Sequence, residues 1–194
     1  MNKSLNSLGL MSGTSGDGVD ASVINSDGKG YYKVLTNKYF QYTDDISQNI
    51  YNLKSNINKL EDIKKFSKEI SDLERKITLF HSNVILKCTK NNDFEIDLIG
   101  FHGQTILHSP KDKYSKQLGD GKLLSQLSKK KVIYNFRQND LLEGGEGAPL
   151  SPIFHHLFVK EKKIELPVCI LNIGGISNLT LIKDLNEKNL ISKD

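Results

Sequence analysis

A glycine-rich tract near the start of the chain carries the side chains best suited to phosphate chemistry. It comprises Gly13, Thr14, Ser15, Gly16, Asp17, Gly18, Val19 and Asp20. Glycines let a tight turn adopt positive φ and let a ligand approach the backbone, while the two hydroxyls add hydrogen-bond donors. The pattern fits a phosphate-binding turn and an ordinary hairpin with a glycine-rich turn equally well.

Two carboxylates in this tract need a separate explanation. Asp17 and Asp20 would repel a phosphate on their own, so in a nucleotide site we expect them to meet a Mg²⁺ ion through water, with Asp17 as the principal candidate. The tract contains neither a Walker A motif nor the GxGxxG pattern of dinucleotide-binding loops. Any nucleotide site here is therefore of another type.

A second group of polar side chains follows two predicted strands further along the chain. His102 and Gln104 follow one strand, and Arg137 and Asp140 follow another. Loops at the carboxyl ends of strands are where α/β proteins place their sites, and these side chains suit a hydroxylated, amide-bearing or carboxylated ligand. His102 alone would fit a core histidine bonded to a backbone carbonyl, but four such groups on neighbouring loops predict a binding site.

The elements that must position the glycine-rich tract are predicted from periodicity. Residues 8–25 alternate on both sides of the turn and predict a β-hairpin, and residues 31–42 predict a third antiparallel strand. After Asp44 the apolar spacing changes to steps of three and four, which predicts one long helix packed on the sheet or, less commonly, on a partner helix. That stripe is Ile63, Phe66, Ile70, Leu73, Ile77, Phe80 and Val84.

Short apolar segments predict the strands that carry the second polar group. Residues 97–101 indicate a buried strand, and residues 132–134 indicate another. Residues 135–149 predict a long polar loop, and Pro149 and Pro152 suit the first turn of the helix that follows. Between the two strands, a short helix is expected from Leu123, Leu124 and Leu127.

The last segment, residues 168–182, repeats the pattern of the opening hairpin. An apolar strand enters a small-residue turn containing Gly174 and Gly175, and an alternating strand leaves it. Leu166 and Pro167 mark a boundary before it. Two such hairpins predict a duplicated fold in which each half offers one loop to a shared nucleotide.

Composition excludes several classes of protein. The chain has 194 residues, 37% hydrophobic and 26% charged, which are globular values, and a net charge of +4 without the concentrated basic stripe of a nucleic-acid surface. Cys88 and Cys169 lie far apart and outside any metal spacing, and adjacent His155 and His156 do not suit paired metal ligation. With no signal peptide or membrane span evident, we expect a cytoplasmic protein without nucleic-acid or membrane partners.

Five segments carry a more specific signal when they are taken together. They are GLMSGTSGDGVD (9–20), IGFHGQTILHSP (99–110), QLGDG (117–121), NFRQNDLLEGGEGAPLSPIFH (135–155) and LNIGGISNLTL (171–181). In this order and at this spacing they resemble the anhydro-N-acetylmuramic acid kinase family, and the resemblance covers nearly the whole chain.

The resemblance implies an α/β fold of the actin/Hsp70/sugar-kinase (ribonuclease H-like) type. Residues 1–165 would form the N-terminal lobe, with the ATP phosphate loop and sugar-facing loops, and residues 166–194 would begin a truncated C-terminal lobe. The implied reaction uses ATP and Mg²⁺: water opens the ring of 1,6-anhydro-N-acetylmuramic acid while the 6-oxygen receives the γ-phosphoryl group, giving N-acetylmuramic acid 6-phosphate in peptidoglycan recycling. The complete protein would be a candidate homodimer.

Site residues carry over from the resemblance position by position. Gly13 to Asp20 would bind ATP, and the sugar cleft would be lined by His102, Gln104, Thr105, Arg137 and Asp140. The chain departs from the family pattern at three positions: Gly16 replaces a leucine, Asn135 an aspartate and Glu146 a glutamine. The first would loosen the ATP loop, because glycine loses more backbone entropy on ordering, and the other two alter charge near the cleft.

The catalytic base of the family would correspond to Asp194, the last residue of the sequence. There it would accept a proton from the attacking water, but a frayed terminal aspartate without a role fits as well. The leading hypothesis is an amino-sugar kinase seen as an incomplete form. A non-catalytic ATP-binding or interaction module of the actin/Hsp70 type, and a remnant without independent function, are the alternatives.

Overall fold

A mixed β-sheet flanked by helices forms the main body of the computed structural model, which describes residues 4–90 and 92–193. The strand order is β3-β2-β1-β4-β5, and β6 pairs with β4 beside β5. A second sheet, β7-β8-β9, follows at the end of the chain. Within the described ranges, no helix combines the length and apolarity needed to cross a membrane.

The opening meander is confirmed. The strands β1 (Leu5–Ser12), β2 (Gly18–Ser26) and β3 (Tyr32–Gln41) pair antiparallel in sequence order. Their alternation directs one set of side chains into the core, since the side-chain period of a strand is two residues. The buried members of β1 and β2 are Leu8, Leu10, Val19, Ala21 and Val23.

Three helices follow, where the sequence predicted one. They are α1 (Asp44–Asn56), α2 (Leu60–Lys65) and α3 (Ser67–Thr89). The long helix expected from Ile63 onward is wrong at Phe66, whose backbone at φ −99° and ψ 23° separates α2 from α3. A break of this kind preserves the apolar spacing, so periodicity alone does not reveal it. α3 buries its stripe, including Ile77 at 0% exposure, against the sheet.

The central strand β4 (Leu98–Ser109) runs parallel to β1 and extends well beyond its predicted end. The interpretation of His102 to Thr105 as a loop is therefore wrong, because the strand continues through a bulge at Gly103, where φ is 72°. Its far half pairs with β5 (Tyr114–Leu118), which was not predicted. A short 3₁₀ turn, Pro110–Asp112, joins the two strands.

The next segment confirms one helix and one strand and corrects a loop. α4 (Gly121–Ser128) is capped by Asp120, whose carboxylate accepts hydrogen bonds from two backbone amides of the first turn. The strand predicted at residues 132–134 is confirmed as β6 (Lys131–Tyr134), which pairs parallel to β4. The long loop predicted from residue 135 instead contains α5 (Phe136–Leu142), so Arg137 and Asp140 lie on a helix.

The C-terminal elements contain the second glycine-turn hairpin, as predicted. α6 (Pro152–Lys162) begins with Pro152 in its first turn, while Pro149 lies outside the helix. β7 (Val168–Asn172) and β8 (Asn178–Ile182) pair antiparallel, and β9 (Ile191–Lys193) adds to β8 after a 3₁₀ turn at Glu187–Asn189. α6 packs on β8, where His155 Nδ1 lies 2.9 Å from Thr180 Oγ1.

Candidate functional site

The glycine-rich tract forms a tight turn at the carboxyl end of β1. The turn closes with the Gly16 amide donating to the Gly13 carbonyl at 3.2 Å, and Gly16 adopts φ 69°. Its base is fixed to the end of β3, because the Tyr42 amide donates to the Asp17 carbonyl at 2.9 Å. The Tyr42 hydroxyl also lies 2.7 Å from Ser12 Oγ in a buried contact. The turn is thus anchored on both sides.

The turn presents one carboxylate that is held ionised. Asp17 is exposed, and its Oδ1 accepts a hydrogen bond of 2.6 Å from Ser15 Oγ. This hydrogen bond is the largest influence that lowers the pKa of the Asp17 carboxyl below its usual value. Asp20 is exposed on β2. Ionised carboxylate oxygens are the ligands that Mg²⁺ prefers, so the donor chemistry of this turn fits the Mg²⁺ ion expected from the sequence.

The remaining residues of the tract belong to β2 and not to the turn. Gly18 opens the strand, and a Cβ added there would meet Phe40 O at 2.5 Å, so only glycine fits against β3. The Val19 side chain is buried in the hydrophobic core at 0% exposure. A ligand of the turn could therefore reach only the backbone of Val19.

Three side chains from other elements support the turn. Gln104, fully buried on β4, donates from Nε2 to the Gly13 carbonyl at 2.9 Å. From α1, the Lys54 ammonium group donates to the Thr14 carbonyl. Ile50 lies one helical turn earlier on α1, and a Cβ added to Gly16 would come within 2.7 Å of its Cγ2 atom. The turn is therefore preorganised by contacts outside itself.

The turn of the second hairpin meets the first. A Cβ added to Gly175 would lie 2.6 Å from Thr14 Oγ1 and 3.4 Å from Thr14 Cβ. Two glycine turns from opposite ends of the chain thus approach each other, as the repeated pattern predicted. The two turns therefore meet at Thr14 and Gly175, and Gly175 is exposed at this contact.

A hydrogen-bond network links β4 to α5. His102 Nδ1 lies 2.7 Å from the Gly103 carbonyl, while His102 Nε2 accepts from Arg137 Nε at 3.1 Å and lies 2.9 Å from Nη2. Burial, followed by the Arg137 charge, lowers the pKa of His102 from 6.5 to about 4. The imidazole is therefore neutral near pH 7, with the proton on Nδ1 and the Nε2 lone pair facing the guanidinium.

The same network continues into the glycine-rich loop after α5, residues 143–151. Arg137 Nη1 donates to the Gly147 carbonyl at 2.7 Å, and the Gly147 amide donates to Asp140 Oδ2 at 2.7 Å. The Gly145 amide donates to the Asp140 carbonyl at 2.8 Å. Arg137 and Asp140, three residues apart on α5, therefore hold this loop from the same side.

A cavity of about 420 Å³ opens beside this network. It lies where the pairing of β4 changes from β6 to β5, and its lining includes His102, Tyr114, Gln117, Asn135 and Gln138. Aromatic, amide and imidazole groups of this kind suit a polyhydroxylated or amide-bearing ligand. A larger cavity of about 520 Å³ lies near the end of α3, beside the segments that lead into β4 and β6, and is remote from both groups of predicted site residues.

Each residue of the predicted sugar cleft has a definite place, but their contact with a sugar stays a prediction. His102, Arg137 and Asp140 come together in one network, whereas Gln104 contacts the glycine turn. Thr105 Oγ1 accepts from Gln117 Nε2 at 3.3 Å. The proposed base, Asp194, lies outside the described residues.

The structure shows the surroundings of the three residues that depart from the family pattern. Gly16 occupies a positive-φ position pressed against Ile50, so the conformation leaves no room for a leucine there. Asn135 sits at φ 60° between β6 and α5, a left-handed conformation that asparagine tolerates better than most residues. Glu146 is exposed on the loop after α5.

Cysteine and metal sites add nothing to this region. Cys88 is buried and Cys169 exposed, and both are free thiols. Across residues 4–90 and 92–193, no group of three or more histidine, cysteine, aspartate or glutamate side chains is arranged to hold a metal ion.

Lys54 and Tyr42 are the candidate site residues that the sequence analysis missed. Lys54 follows Ile50 by four residues, so helical spacing places both on one face of α1. That spacing was available from the sequence, but the loop on which the face packs depends on tertiary structure. Tyr42 directly follows β3, and nothing local in the sequence indicates its contact with Ser12.

Comparisons with known proteins point to one family. The family model described as anhydro-N-acetylmuramic acid kinase matches residues 5–190. A protein of that name from Pelagibacter ubique is 54% identical over 194 residues, which is 100% of this chain and 52% of the relative. Others of the same name are 37% identical over 180 residues in Agrobacterium fabrum and 39% identical over 176 residues in Gluconobacter oxydans. Each of these two alignments covers 90% of this chain, and 48% and 47% of the relative respectively.

The chain thus spans about half the length of the curated relatives that it matches. The matched half contains both glycine turns and the network around His102.

Proposed function

Since the chain belongs to the anhydro-N-acetylmuramic acid kinase family, we propose that it forms the N-terminal part of a kinase that acts on 1,6-anhydro-N-acetylmuramic acid. The complete enzyme adds water across the anhydro bridge and transfers the γ-phosphoryl group of ATP to the 6-oxygen. The products are N-acetylmuramic acid 6-phosphate and ADP. The fold of the complete enzyme is of the actin/Hsp70/sugar-kinase type, with the first lobe in residues 1–165 and the second beginning at residue 166.

The approach of the two glycine turns is the observation that carries this proposal. Phosphoryl transfer depends on positioning the nucleotide and on stabilising charge around its phosphates, with little covalent chemistry for the protein to perform. Gly13 to Asp17 offers backbone amides and hydroxyls on one side, and Gly175 lies against Thr14 on the other. ATP supplies the phosphoryl group when it is bound, and Asp17 would meet Mg²⁺ through water.

The sugar side of the proposal rests on the network around His102. Neutral His102 and the charged Arg137 lie together beside a cavity of about 420 Å³ lined by amide and aromatic groups. The Thr105 hydroxyl accepts a hydrogen bond from Gln117, which lines the cavity, and Asp140 fixes the adjoining loop. We propose that the amino sugar occupies this region. Asp194 as general base, a cytoplasmic location and a homodimer stay predictions.

Nucleotide titration of the purified chain tests the proposal. In an NMR titration with Mg·ATP, backbone amides of residues 13–17 should shift in the wild type. Asp17→Ala should weaken this binding much more than Asp27→Ala, because Asp27 lies in the β2–β3 turn, where its carboxylate accepts from the amides of Lys29, Gly30 and Tyr31. Equal effects of the two substitutions, or no shift in the wild type, would contradict the ATP assignment.

A further inference from the structure

We propose that Lys54 supplies the positive charge of the nucleotide site by binding a phosphate group of the nucleoside triphosphate. The inference rests on the proposed function and adds a residue to it. Lys54 lies on α1, outside every motif that identified the family. Its ammonium group donates to the carbonyl of Thr14, in the middle of the glycine turn.

The turn itself lacks a cation. Residues 13–20 contain two carboxylates, Asp17 and Asp20, and no lysine or arginine. A triphosphate with its Mg²⁺ ion still carries net negative charge, so a turn with these carboxylates needs a positive group from elsewhere. Among the described residues, Lys54 is the cation that contacts the turn through a hydrogen bond.

The packing of α1 on the turn keeps this lysine in place. Ile50 and Lys54 are one helical turn apart and share a face of α1. Gly16, which lacks a side chain, lets Ile50 approach so closely that an added Cβ would come within 2.7 Å of its Cγ2 atom. The glycine that departs from the family pattern and the lysine therefore belong to one arrangement: the close approach of α1 brings the ammonium group to the turn.

Lys54 reaches the junction of the two glycine turns through Thr14. Its partner Thr14 directs Oγ1 toward Gly175 of the second hairpin, so the backbone of Thr14 faces α1 and its side chain faces the second turn. A phosphate bound at the first turn would be a stronger acceptor for the ammonium group than the neutral carbonyl. Lys54 is partly exposed and its four-carbon stem is flexible, so it can exchange the carbonyl for the phosphate.

Titration of the full chain with inorganic triphosphate, followed by the amide signals of residues 13–17, tests the assignment. Lys54→Gln removes the charge but keeps an N–H donor, and it should weaken triphosphate binding about tenfold. Lys54→Arg keeps the charge and should stay close to the wild type. Lys68→Gln removes the same charge from an exposed position on α3 and is the matched control.

Salt dependence separates a phosphate contact from a purely structural role. The wild-type affinity should fall more steeply with added KCl than that of Lys54→Gln, because the variant has lost a charge contact that salt screens. Wild-type affinity in Lys54→Gln, an equal loss in Lys68→Gln, or equal salt slopes would overturn the role of Lys54 while leaving the proposed function intact. If the wild type shows no shift with triphosphate or with Mg·ATP, the proposed function fails first, and the inference fails with it.

Discussion

Asp140 illustrates how single residues of the candidate site act through the backbone of a loop. Its carboxylate accepts from the Gly147 amide at 2.7 Å. Asp140→Ala should therefore remove this hydrogen bond, lower the free energy of unfolding by about 1 kcal/mol and accelerate hydrogen exchange at Gly147. Asp72→Ala, at an exposed position of α3, should change neither quantity appreciably. Unchanged exchange at Gly147 in Asp140→Ala would show that the loop does not depend on this carboxylate.

Two buried histidines predict an acid-sensitive fold. Burial lowers the pKa of both His81 and His102 from 6.5 to about 4. Below pH 6.5 the unfolded chain takes up these protons while the native state does not, so stability present above pH 6.5 is lost as the pH falls towards 4. Each histidine contributes at most about 1.4 kcal/mol per pH unit in this window.

Substitution of His81 tests this dependence of stability on pH. His81 is fully buried with its ring 4.9 Å from that of Phe101, and its Nε2 has no hydrogen-bond partner among the described residues. In urea unfolding series between pH 7 and pH 4.5, His81→Leu should lose less stability than the wild type. A parallel decline in both proteins would mean that His81 is not the source of the acid sensitivity.

At the scale of elements, the packing of α1 on the glycine turn can be tested with two glycines of nearly equal backbone conformation. Gly16 has φ 69° and Gly28 has φ 70°, but only Gly16 has a close neighbour, Ile50. Gly28→Ala should cost about 1–2 kcal/mol for left-handed backbone alone. Gly16→Ala should cost about 1–3 kcal/mol more, because its Cβ overlaps with Ile50. Equal melting temperatures for the two variants would contradict this packing.

An element could be predicted from the sequence when the interactions that form it join residues close together in the chain. Both hairpins could be predicted, because alternation and turn glycines act within a dozen residues. β5 could not, since the segment Tyr114–Leu118 is short and largely polar and becomes a strand only by pairing with β4. α5 lies in a polar, glycine-rich segment and buries only Leu141, so it lacks an apolar stripe.

The candidate site shows the same limit. Its residue types were predicted, but the contacts that organise them were not: Gln104 supports the turn, and Lys54 reaches it from α1. Each contact joins positions 40 or more residues apart, and pattern in the sequence does not report such distances.

At the scale of the whole molecule, the meeting of the two glycine turns is the feature on which the proposed nucleotide site depends. A Cβ at Gly175 would lie 2.6 Å from Thr14 Oγ1, whereas the nearest atom to a Cβ at Gly174 is Ile176 O, at 3.6 Å. Gly175→Ala should therefore push the turns apart and weaken Mg·ATP binding about tenfold, or about 1.4 kcal/mol. In calorimetric titrations with Mg·ATP, Gly174→Ala should bind the nucleotide nearly as tightly as the wild type. Equal affinities for both variants would show that the second turn does not contribute.

Kinase activity of a completed chain tests the central claim most directly. Residues 1–194 should be fused to the remaining half of the Pelagibacter ubique relative, which is 54% identical over the matched part. The fusion should phosphorylate 1,6-anhydro-N-acetylmuramic acid with ATP, and Asp17→Ala in the fusion should abolish most of this activity. Residues 1–194 alone should show no turnover above a no-enzyme control, because in the proposed two-lobed enzyme the groups that surround the phosphates come from both halves. A folded fusion that binds ATP but leaves the anhydro-sugar unchanged, or robust turnover by residues 1–194 alone, would contradict the account.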